Sequence, residues 1–336
     1  MKILAIRLAR LGDVILLLPA LASLKERFPT SQLTLLTGHR CAPIAELCPA
    51  IDEVISVDRV AMRDGPVWRA LRDMSTLVRD VRRRRFDVVV DFHSFRETHL
   101  LTRLSSAPIR IGLKRHKAPY LTFCFNKPPI VEDKNLHVAD MFQKVVDGVV
   151  MEISNERMPR QSPIISDTKQ LNALGRAAAQ KAKNPTLALF VDAPVPERIW
   201  PPESFAQVAD YAIEQLGASV IVISSSQGTE LARRVQKASH NPDRVVVFTN
   251  LTLTQLAETI ASARMLISND TGPMHIGPAV GVLTLGLFSV GLPEHFRPTG
   301  TGDRFLRANP IGLIRAEDVV EMMIGMWATA DRDLRR

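Results

Sequence analysis

The chain alternates short, β-branched apolar runs with amphipathic helical patterns, and it does so in two consecutive series. The first series contains the strand-like runs "KILAIRL", "QLTLLTG", "EVISVD" and "DVVVDF". The second contains "TLALFVD", "SVIVISS", "RVVVFT", "MLISND" and "TLGLF". Strands that alternate with helices predict a parallel sheet covered by helices on both faces. The two series therefore predict an α/β protein of two Rossmann-like, doubly wound domains that face a central cleft.

The boundaries of these domains follow from composition. We predict an N-terminal domain over residues 1–155, a linker over 156–183 around the polar, proline-bearing "NERMPRQSPIISDTKQ", and a C-terminal domain over 184–315. A final helix is predicted over 316–336, packing back toward the N-terminal domain. Because ligands of open parallel sheets bind beyond the carboxyl ends of strands, functional residues should directly follow strands.

The net charge of +8 lies entirely in the first half of the chain. Residues 1–150 hold 24 Lys and Arg against 16 Asp and Glu, whereas residues 151–336 hold 19 of each. This asymmetry indicates an anionic substrate, an anionic membrane face or a solvated basic surface. Nucleic acid is disfavoured, because only 5% of residues are aromatic and no nucleic-acid-binding module is recognisable.

Membrane and metal signals are weak. No apolar run reaches the ~18–20 residues of a membrane span, and Arg7, Arg10 and Asp13 break the apolar N-terminus, which predicts a strand and helix rather than a signal peptide. Three cysteines without paired metal spacing suit a reducing cytoplasm and predict neither a metal site nor a cofactor. The sequence also lacks the glycine-rich dinucleotide and P-loop patterns, a G-x-S-x-G elbow and an H-E-x-x-H pair.

Two segments follow strands and carry chemistry. In "SNDTGPMH", Asp270, Thr271 and Gly272 end a buried strand and open a helix, with His275 one turn later. A helix start has unpaired N–H groups and a partial positive charge, which suit a phosphate. In "RLGD", Asp13 starts a helix expected from Val14, and a carboxylate there could accept a proton from an attacking hydroxyl. Either aspartate could instead be an ordinary helix N-cap.

The order of motifs resembles one family. "ILAIRLARLGDVILLLPALASLKERFP" and "LISNDTGPMHIGPAVGVLTLGLF" are similar to the opening and the donor-site signature of glycosyltransferase family 9, the lipopolysaccharide heptosyltransferases. "FDVVVDFHS", "RIGLKRHK" and "RIWPPESFAQVADYAIEQLGASVIVISS" resemble segments between them. The resemblance covers nearly the whole chain and implies a GT-B fold with inverting, metal-independent sugar transfer.

The resemblance also implies roles for particular residues. Asp13 matches the family's general base. The donor nucleotide-sugar would be held by the residues at matching positions, namely Arg198, Glu230, Asp270, Thr271, Gly272 and His275. From the excess of basic charge in the first half, we predict that the acceptor is held by Arg10, Lys114, Arg115 and Lys117.

Some positions depart from the family pattern. Arg198 stands where a lysine is usual, Asp192 adds a negative charge near the expected diphosphate, and Ser289-Val290-Gly291 replaces Gly-Pro-Thr. These changes leave three interpretations open. The chain transfers heptose from an ADP-linked donor to a lipopolysaccharide core or related glycan, or it uses another nucleotide-sugar, or it binds such ligands without turnover.

The basic residues fall into two groups. One is the helix "VWRALRDMSTLVRDVRRRRF", predicted to be a solvated or membrane-facing stripe, and the other is the loop "LKRHK", predicted to lie nearer the cleft. The prediction is therefore a cytoplasmic enzyme that makes peripheral contact with the inner membrane, where an anionic glycolipid acceptor would be drawn to the basic half.

Overall fold

The computed structural model describes residues 1–116, 118–154 and 185–333, and the chain divides into two compact units, residues 1–165 and 166–336. Each unit contains a six-stranded sheet whose strands all pair in parallel. The two doubly wound sheets predicted from the alternation are therefore confirmed. The predicted linker over 156–183 lies outside the described residues.

The first unit contains the four strands of the predicted series, as β1 to β4, and two further strands, β5 and β6. Its strands are β1 (Lys2–Arg7), β2 (Gln32–Gly38), β3 (Glu53–Val57), β4 (Val88–Asp91), β5 (Ile109–Lys114) and β6 (Ile130–Val131). Its described helices are α1 (Leu11–Ile15), α2 (Leu18–Arg27), α3 (Ala42–Glu46), α4 (Arg59–Asp64), α5 (Val67–Arg84), α6 (Arg96–Leu104) and α7 (Val138–Ser154), with a 3-10 turn at Thr122–Cys124.

The second unit repeats the pattern. Its strands are β7 (Thr186–Phe190), β8 (Ser219–Ser224), β9 (Val245–Thr249), β10 (Met265–Asn269), β11 (Leu283–Phe288) and β12 (Arg304–Arg307). Its described helices are α8 (Pro202–Gln215), α9 (Thr229–Ala238), α10 (Leu253–Ala261), α11 (Ile276–Ala279), α12 (Pro293–Phe296) and α13 (Ala316–Asp333). Its 3-10 turns are Pro196–Arg198, Pro242–Arg244, Gly272–His275 and Ile311–Leu313.

The strand order determines where each unit can bind a ligand. The first sheet has the order β3-β2-β1-β4-β5-β6, and the second has the equivalent order β12-β11-β10-β7-β8-β9. In both, the chain reverses its direction of travel across the sheet between two central strands, β1 and β4 or β7 and β10. Loops leave that point in opposite directions and open a crevice at the carboxyl ends of the strands.

The structure corrects the helix expected from Val14. It begins earlier, at Leu11, with Arg10 as its N-cap, and it is divided into α1 and α2. Pro19 explains the break, because proline lacks an N–H group and its ring clashes with the carbonyl four residues earlier. Asp13 is therefore not the N-cap of this helix but a residue within the first turn of α1.

Apolar side chains attach α5 and α6 to the same face of the first sheet. Val81 of α5 and Leu101 of α6 are buried in one cluster with Ile6 of β1 and Val89 of β4. In the second unit, α13 buries its apolar side in the core of that unit, as Val319, Met323, Met326 and Trp327. In the described part of the chain, no helix is long and apolar enough to cross a membrane.

A buried carboxyl group in the second unit makes stability depend on pH. Asp303 accepts hydrogen bonds from the amides of Thr284 (2.8 Å) and Gly300 (2.6 Å), but burial raises its pKa to about 7. A raised folded-state pKa stabilises the fold fully below the unfolded value near pH ~4, and this contribution is lost as the pH rises through about 7. We expect the free energy of unfolding of the wild type to fall between about pH 4 and 7 relative to Asp303→Asn, as measured by urea titration. Parallel pH profiles for the two proteins would contradict this.

Candidate functional site

The carboxylate of Asp13 is held by an arginine that ends β1. Arg7 Nη2 donates a hydrogen bond to Asp13 Oδ1 at 2.9 Å, and Arg7 Nη1 donates to the carbonyl oxygen of Phe92 at 2.7 Å. Burial lowers the pKa of the Arg7 guanidinium, while the charge of Asp13 acts in the opposite direction. The Asp13 side chain is 27% exposed, so it is fixed by Arg7 yet remains open to a substrate hydroxyl.

The loop after β4 is shaped by a second, fully buried carboxylate. Asp91 Oδ1 accepts hydrogen bonds from the amides of His93 (2.8 Å) and Ser94 (2.9 Å), and Ser94 has a left-handed φ of 62°. Asp91 Oδ2 lies 3.8 Å from Nε2 of His99. Burial raises the pKa of Asp91 and lowers that of His99. This arrangement turns the chain sharply at the end of the strand and places His93 beside the β1 loop.

His93 is buried among arginines. Neither of its ring nitrogens has a hydrogen-bond partner among the described residues, although the side chain is only 3% exposed. Burial, followed by the charges of Arg7, Arg59 and Arg115, lowers the pKa of His93 to about 2. The imidazole is therefore neutral at physiological pH and can both donate and accept a hydrogen bond.

Phe95 organises the cations next to His93. The ring centroids of His93 and Phe95 lie 4.2 Å apart in an edge-to-face arrangement. The guanidinium groups of Arg59 and Arg115 lie 5.2 and 5.8 Å from the centroid of Phe95, within the range of cation–π attraction. We call Arg7, Arg59, Arg115 and His93 the basic cluster. Its members follow or end β1, β3, β4 and β5, so the parallel sheet brings them to one edge.

The predicted acceptor residues occupy different positions. Arg115 belongs to the basic cluster, and its Nε is buried without a hydrogen-bond partner among the described residues. Lys114, the last residue of β5, is exposed, as is Arg10 at the start of α1. Lys117 lies outside the described residues. The two neighbouring residues therefore differ: Arg115 is part of the basic cluster, whereas the side chain of Lys114 is exposed to solvent.

In the second unit, an ion pair joins the loops that follow β7 and β10. Arg198 Nη1 lies 3.1 Å from Asp270 Oδ2 and donates a hydrogen bond to the carbonyl oxygen of Asp270 at 3.3 Å. Burial raises the pKa of Asp270, and the charge of Arg198 counteracts it. The Asp270 side chain is almost buried, whereas Arg198 is 30% exposed and keeps donors available for an anion.

Several contacts hold this pair in place. Asn269 donates from Nδ2 to the carbonyl oxygen of Val191 at 2.9 Å and accepts at Oδ1 from the amide of Trp200 at 3.1 Å. The Ser289 hydroxyl donates to the carbonyl oxygen of Glu197. A Cβ at Gly291 would lie 2.0 Å from Asp270 Oδ2, so any larger residue there would displace the Asp270 carboxylate. Two of the three residues that depart from the family pattern at 289–291 thus support the Arg198–Asp270 pair.

Asp192, another residue that departs from the family pattern, accepts hydrogen bonds within the second unit. Its Oδ2 accepts hydrogen bonds from the amide of Ser225 at 3.0 Å and from the Ser225 hydroxyl. A Cβ at Gly228 would lie 2.2 Å from the same oxygen, which shows how closely the loop after β8 approaches. The Asp192 carboxylate therefore joins the loops after β7 and β8.

The predicted helix start after β10 has a different form. Gly272–His275 is a 3-10 turn that continues into the short α11, so the helix expected to open at Asp270, Thr271 and Gly272 ends at Ala279, just after Pro278. Pro273 also removes one amide donor from the first turn. Thr271 and Gly272 are partly exposed at the strand end, His275 is buried, and Glu230 is exposed in the first turn of α9. The 3-10 turn therefore offers fewer amide donors to an anion than the expected helix start, and Arg198 becomes the more important group for balancing the anion's charge.

The described residues contain no cluster of metal-binding side chains. Within residues 1–116, 118–154 and 185–333, no group of three or more His, Cys, Asp or Glu side chains could hold a metal ion. All three cysteines, Cys41, Cys48 and Cys124, are buried and free. The carboxylates of Asp13 and Asp270 each pair with an arginine, Arg7 and Arg198 respectively.

Sequence reasoning missed three members of the basic cluster. Arg7, Arg59 and His93 each lie at or just beyond the end of a strand, and His93 stood in the quoted segment "FDVVVDFHS". A charged residue that ends an otherwise apolar strand was the available signal in "KILAIRL". Their convergence could not be seen, because it depends on the order of strands in the sheet.

Comparisons with known proteins agree with this architecture. Residues 74–312 match the family model described as glycosyltransferase family 9 (heptosyltransferase). A putative glycosyltransferase of Haemophilus influenzae is 24% identical, with 92% of this chain and 89% of that protein covered. The lipopolysaccharide core heptosyltransferase OpsX of the same organism is 23% identical, over 87% of this chain and 80% of its own.

Solved structures show the same fold. The Escherichia coli heptosyltransferase WaaC with ADP superposes with a TM-score of 0.81 at 18% identity, covering 97% of this chain and 100% of that one. A family 9 glycosyl transferase from Veillonella parvula gives a TM-score of 0.77 at 22% identity, covering 98% and 97%. The predicted GT-B fold is therefore confirmed.

Proposed function

This chain belongs to glycosyltransferase family 9 and is a heptosyltransferase-like enzyme, and we propose that it transfers heptose from ADP-heptose to an anionic lipopolysaccharide-core glycan. The observation that carries the proposal is the pair of charged sites at equivalent crevices of the two sheets. One is a carboxylate beside a basic cluster, and the other is an arginine–aspartate pair.

The first unit is suited to bind and activate the acceptor. Three guanidinium groups around the neutral His93 would attract a carboxylate or phosphate on the glycan, since guanidinium groups bind both anions in bidentate geometry. Asp13 would then lie beside the acceptor hydroxyl and take its proton as general base. Arg7 would orient the carboxylate through the 2.9 Å contact.

The second unit is suited to bind the donor. Arg198 would balance the diphosphate charge, with help from the amides at Thr271 and Gly272 and from His275. Asp270 would accept hydrogen bonds from sugar hydroxyls, and Glu230 from the ribose. An ADP-linked sugar is favoured because solved relatives are described as complexes with ADP and with ADP-2-deoxy-2-fluoro heptose.

The reaction balances without a metal. The acceptor oxygen forms a bond to the anomeric carbon as the bond from that carbon to the diphosphate oxygen breaks, which inverts the configuration. The proton passes from the acceptor hydroxyl to Asp13, and the negative charge leaves with ADP beside Arg198. Charge-assisted hydrogen bonds from guanidinium groups are strong enough to take the place of a cation at a leaving diphosphate.

A transfer assay in a chelator tests the whole proposal. Purified protein is incubated in EDTA with ADP-heptose and a delipidated core acceptor, and the product is identified by mass spectrometry. A thermal-shift series with ADP, UDP, GDP and CDP accompanies it, because a ligand that binds the folded state raises its stability. We expect heptosyl product and a shift with ADP. A shift with UDP alone would indicate a different nucleotide-sugar, and ADP binding without product would indicate a non-catalytic homologue.

Acceptor binding should depend on Arg115 more than on Lys114. We expect Arg115→Met to raise the acceptor KM about 10–100-fold, since a hydrogen bond to a charged group contributes about 1.5–3 kcal/mol. Lys114→Met is the matched control, because it removes the same charge from the neighbouring residue, whose side chain is exposed. The acceptor KM of this variant should change little. Equal effects of both variants in steady-state kinetics would show that only the general charge of the loop matters.

The proposed location is the cytoplasm, at the surface of the inner membrane. Three free, buried cysteines suit a reducing compartment. The basic excess of residues 1–150 suits a site near anionic lipid.

A further inference from the structure

We propose that the face of the first unit formed by α5 and α6 is the surface that docks on an anionic bilayer, with apolar side chains that insert and arginines that bind lipid phosphates. The proposal rests on the proposed function, because a membrane-borne acceptor gives this contact its purpose. We call this surface the α5–α6 face. It consists of Trp68, Leu71, Arg79, Arg82 and Arg83 on or near α5, and Leu100, Arg103, Leu104 and Phe123 on or beside α6.

Large apolar side chains are exposed on this face. Trp68 is 60% exposed, Leu71 66% and Phe123 65%, while Leu100 and Leu104 are nearly half exposed. The buried sides of α5 and α6 share one core cluster, so both helices cover the same side of the sheet. Exposed apolar residues grouped in this way mark an interaction surface, whereas single ones need no explanation.

The charges on α5 complement an anionic surface. At 100° per residue, Trp68, Leu71, Arg79, Arg82 and Arg83 lie on one side of the helix, and all five are exposed. The acidic residues of α5 lie toward another side. Asp80 pairs with Arg84 at 2.9 Å, and Asp73 pairs with Arg72 at 3.3 Å.

The three arginines of that side are available to a partner. Arg79, Arg82 and Arg83 have no ion pair with any residue the structure describes. Helices that lie on anionic lipid typically combine tryptophan and leucine with arginines that have no acidic partner in the protein. A protein partner of unspecified charge would not require the acids of α5 to lie away from these arginines.

The face is connected to the candidate acceptor site. Arg59, the first residue of α4, donates a hydrogen bond to the carbonyl oxygen of Leu8 at 3.0 Å and lies over Phe95, while α4 leads directly into α5. Helix α6 begins at Arg96, immediately after the His93 loop. A glycolipid held by the bilayer would therefore have its glycan near the basic cluster.

The test uses Trp68 as an internal probe. The other two tryptophans, Trp200 and Trp327, are buried, so Trp68 dominates any change of emission on binding. With vesicles of phosphatidylethanolamine and phosphatidylglycerol, we expect a blue shift and sedimentation of the full-length protein. Pure phosphatidylcholine vesicles should give neither. Trp68→Phe should lose the blue shift yet still sediment.

Charge variants test whether vesicle binding depends on the arginines of the α5–α6 face or only on the total positive charge of the protein. Arg82→Gln/Arg83→Gln should lower vesicle partitioning about 25-fold at low salt, since each basic residue near the surface contributes about a factor of five. The effect should fade as salt increases. Arg233→Gln/Arg244→Gln removes the same charge from exposed positions of the second unit and should leave partitioning unchanged.

Three results would overturn the proposal. They are equal binding to both kinds of vesicle, equal losses in the two double variants, and a stable dimer by light scattering in which Trp68 is shielded from quenchers. Transfer to the delipidated acceptor should be normal in Arg82→Gln/Arg83→Gln. Vesicle binding without any transfer activity would reject the proposed function alone, and transfer without vesicle binding would reject this surface alone.

Discussion

Asp13→Asn is expected to lose transfer activity by about 10²–10⁴-fold, the usual contribution of a general base. Asparagine keeps an oxygen that can accept the hydrogen bond from Arg7, which lies 2.9 Å from Asp13 Oδ1, but it cannot take a proton. The acceptor hydroxyl would then have to attack without deprotonation. The loss should fall on kcat, because the basic cluster that we propose binds the acceptor is unchanged.

The measurement is single-turnover transfer at saturating donor and acceptor. Calorimetric titration with ADP should give the wild-type affinity for Asp13→Asn, because the proposed donor residues lie in the second unit. Asp73→Asn, a partly exposed residue of α5, is the matched control for removal of one carboxylate and should be fully active. Wild-type turnover in Asp13→Asn would remove Asp13 from the mechanism.

Arg198→Met should lose both stability and affinity for ADP, and the two losses should be separable. Breaking a buried ion pair costs about 3–5 kcal/mol, and because the Arg198 side chain is 30% exposed we expect about 2 kcal/mol. The cause is the Asp270 carboxylate, which stays buried without its guanidinium. Loss of a charge-assisted contact to the diphosphate should weaken ADP binding about 10–100-fold.

The double variant distinguishes these causes. Arg198→Met/Asp270→Asn removes the uncompensated carboxylate, so the free energy of unfolding should return toward the wild-type value while ADP affinity stays low. ADP is the appropriate probe because it lacks the heptose, the sugar that Asp270 is proposed to contact. Arg244→Met, which removes an exposed charge from the same unit, is the control. Recovery of ADP affinity in the double variant would mean that Arg198 only supports the fold.

Much of the architecture was readable from local patterns. Strand–helix alternation predicted both sheets, since a parallel strand must be followed by a crossover that covers it. Residues beyond strand ends were expected to carry the chemistry, and in the structure Asp13 follows β1 and Asp270 follows β10. Helix boundaries were less well predicted: the effect of Pro19 on the helix that contains Asp13 was overlooked, and the segment after Asp270 opens as a 3-10 turn.

The sequence by itself determined the fold class and the family, because strand–helix alternation and the order of motifs are both visible along the chain, and it singled out Asp13, Arg198 and Asp270 as candidates. Only the tertiary structure decided which residues surround them. Arg7, Arg59, His93 and Arg115 converge because β1, β3, β4 and β5 lie in one parallel sheet, and Gly291 approaches Asp270 because β11 lies beside β10. The physical reason is that strand order sets which loops meet, and contacts between residues distant in sequence leave no periodic signal along the chain.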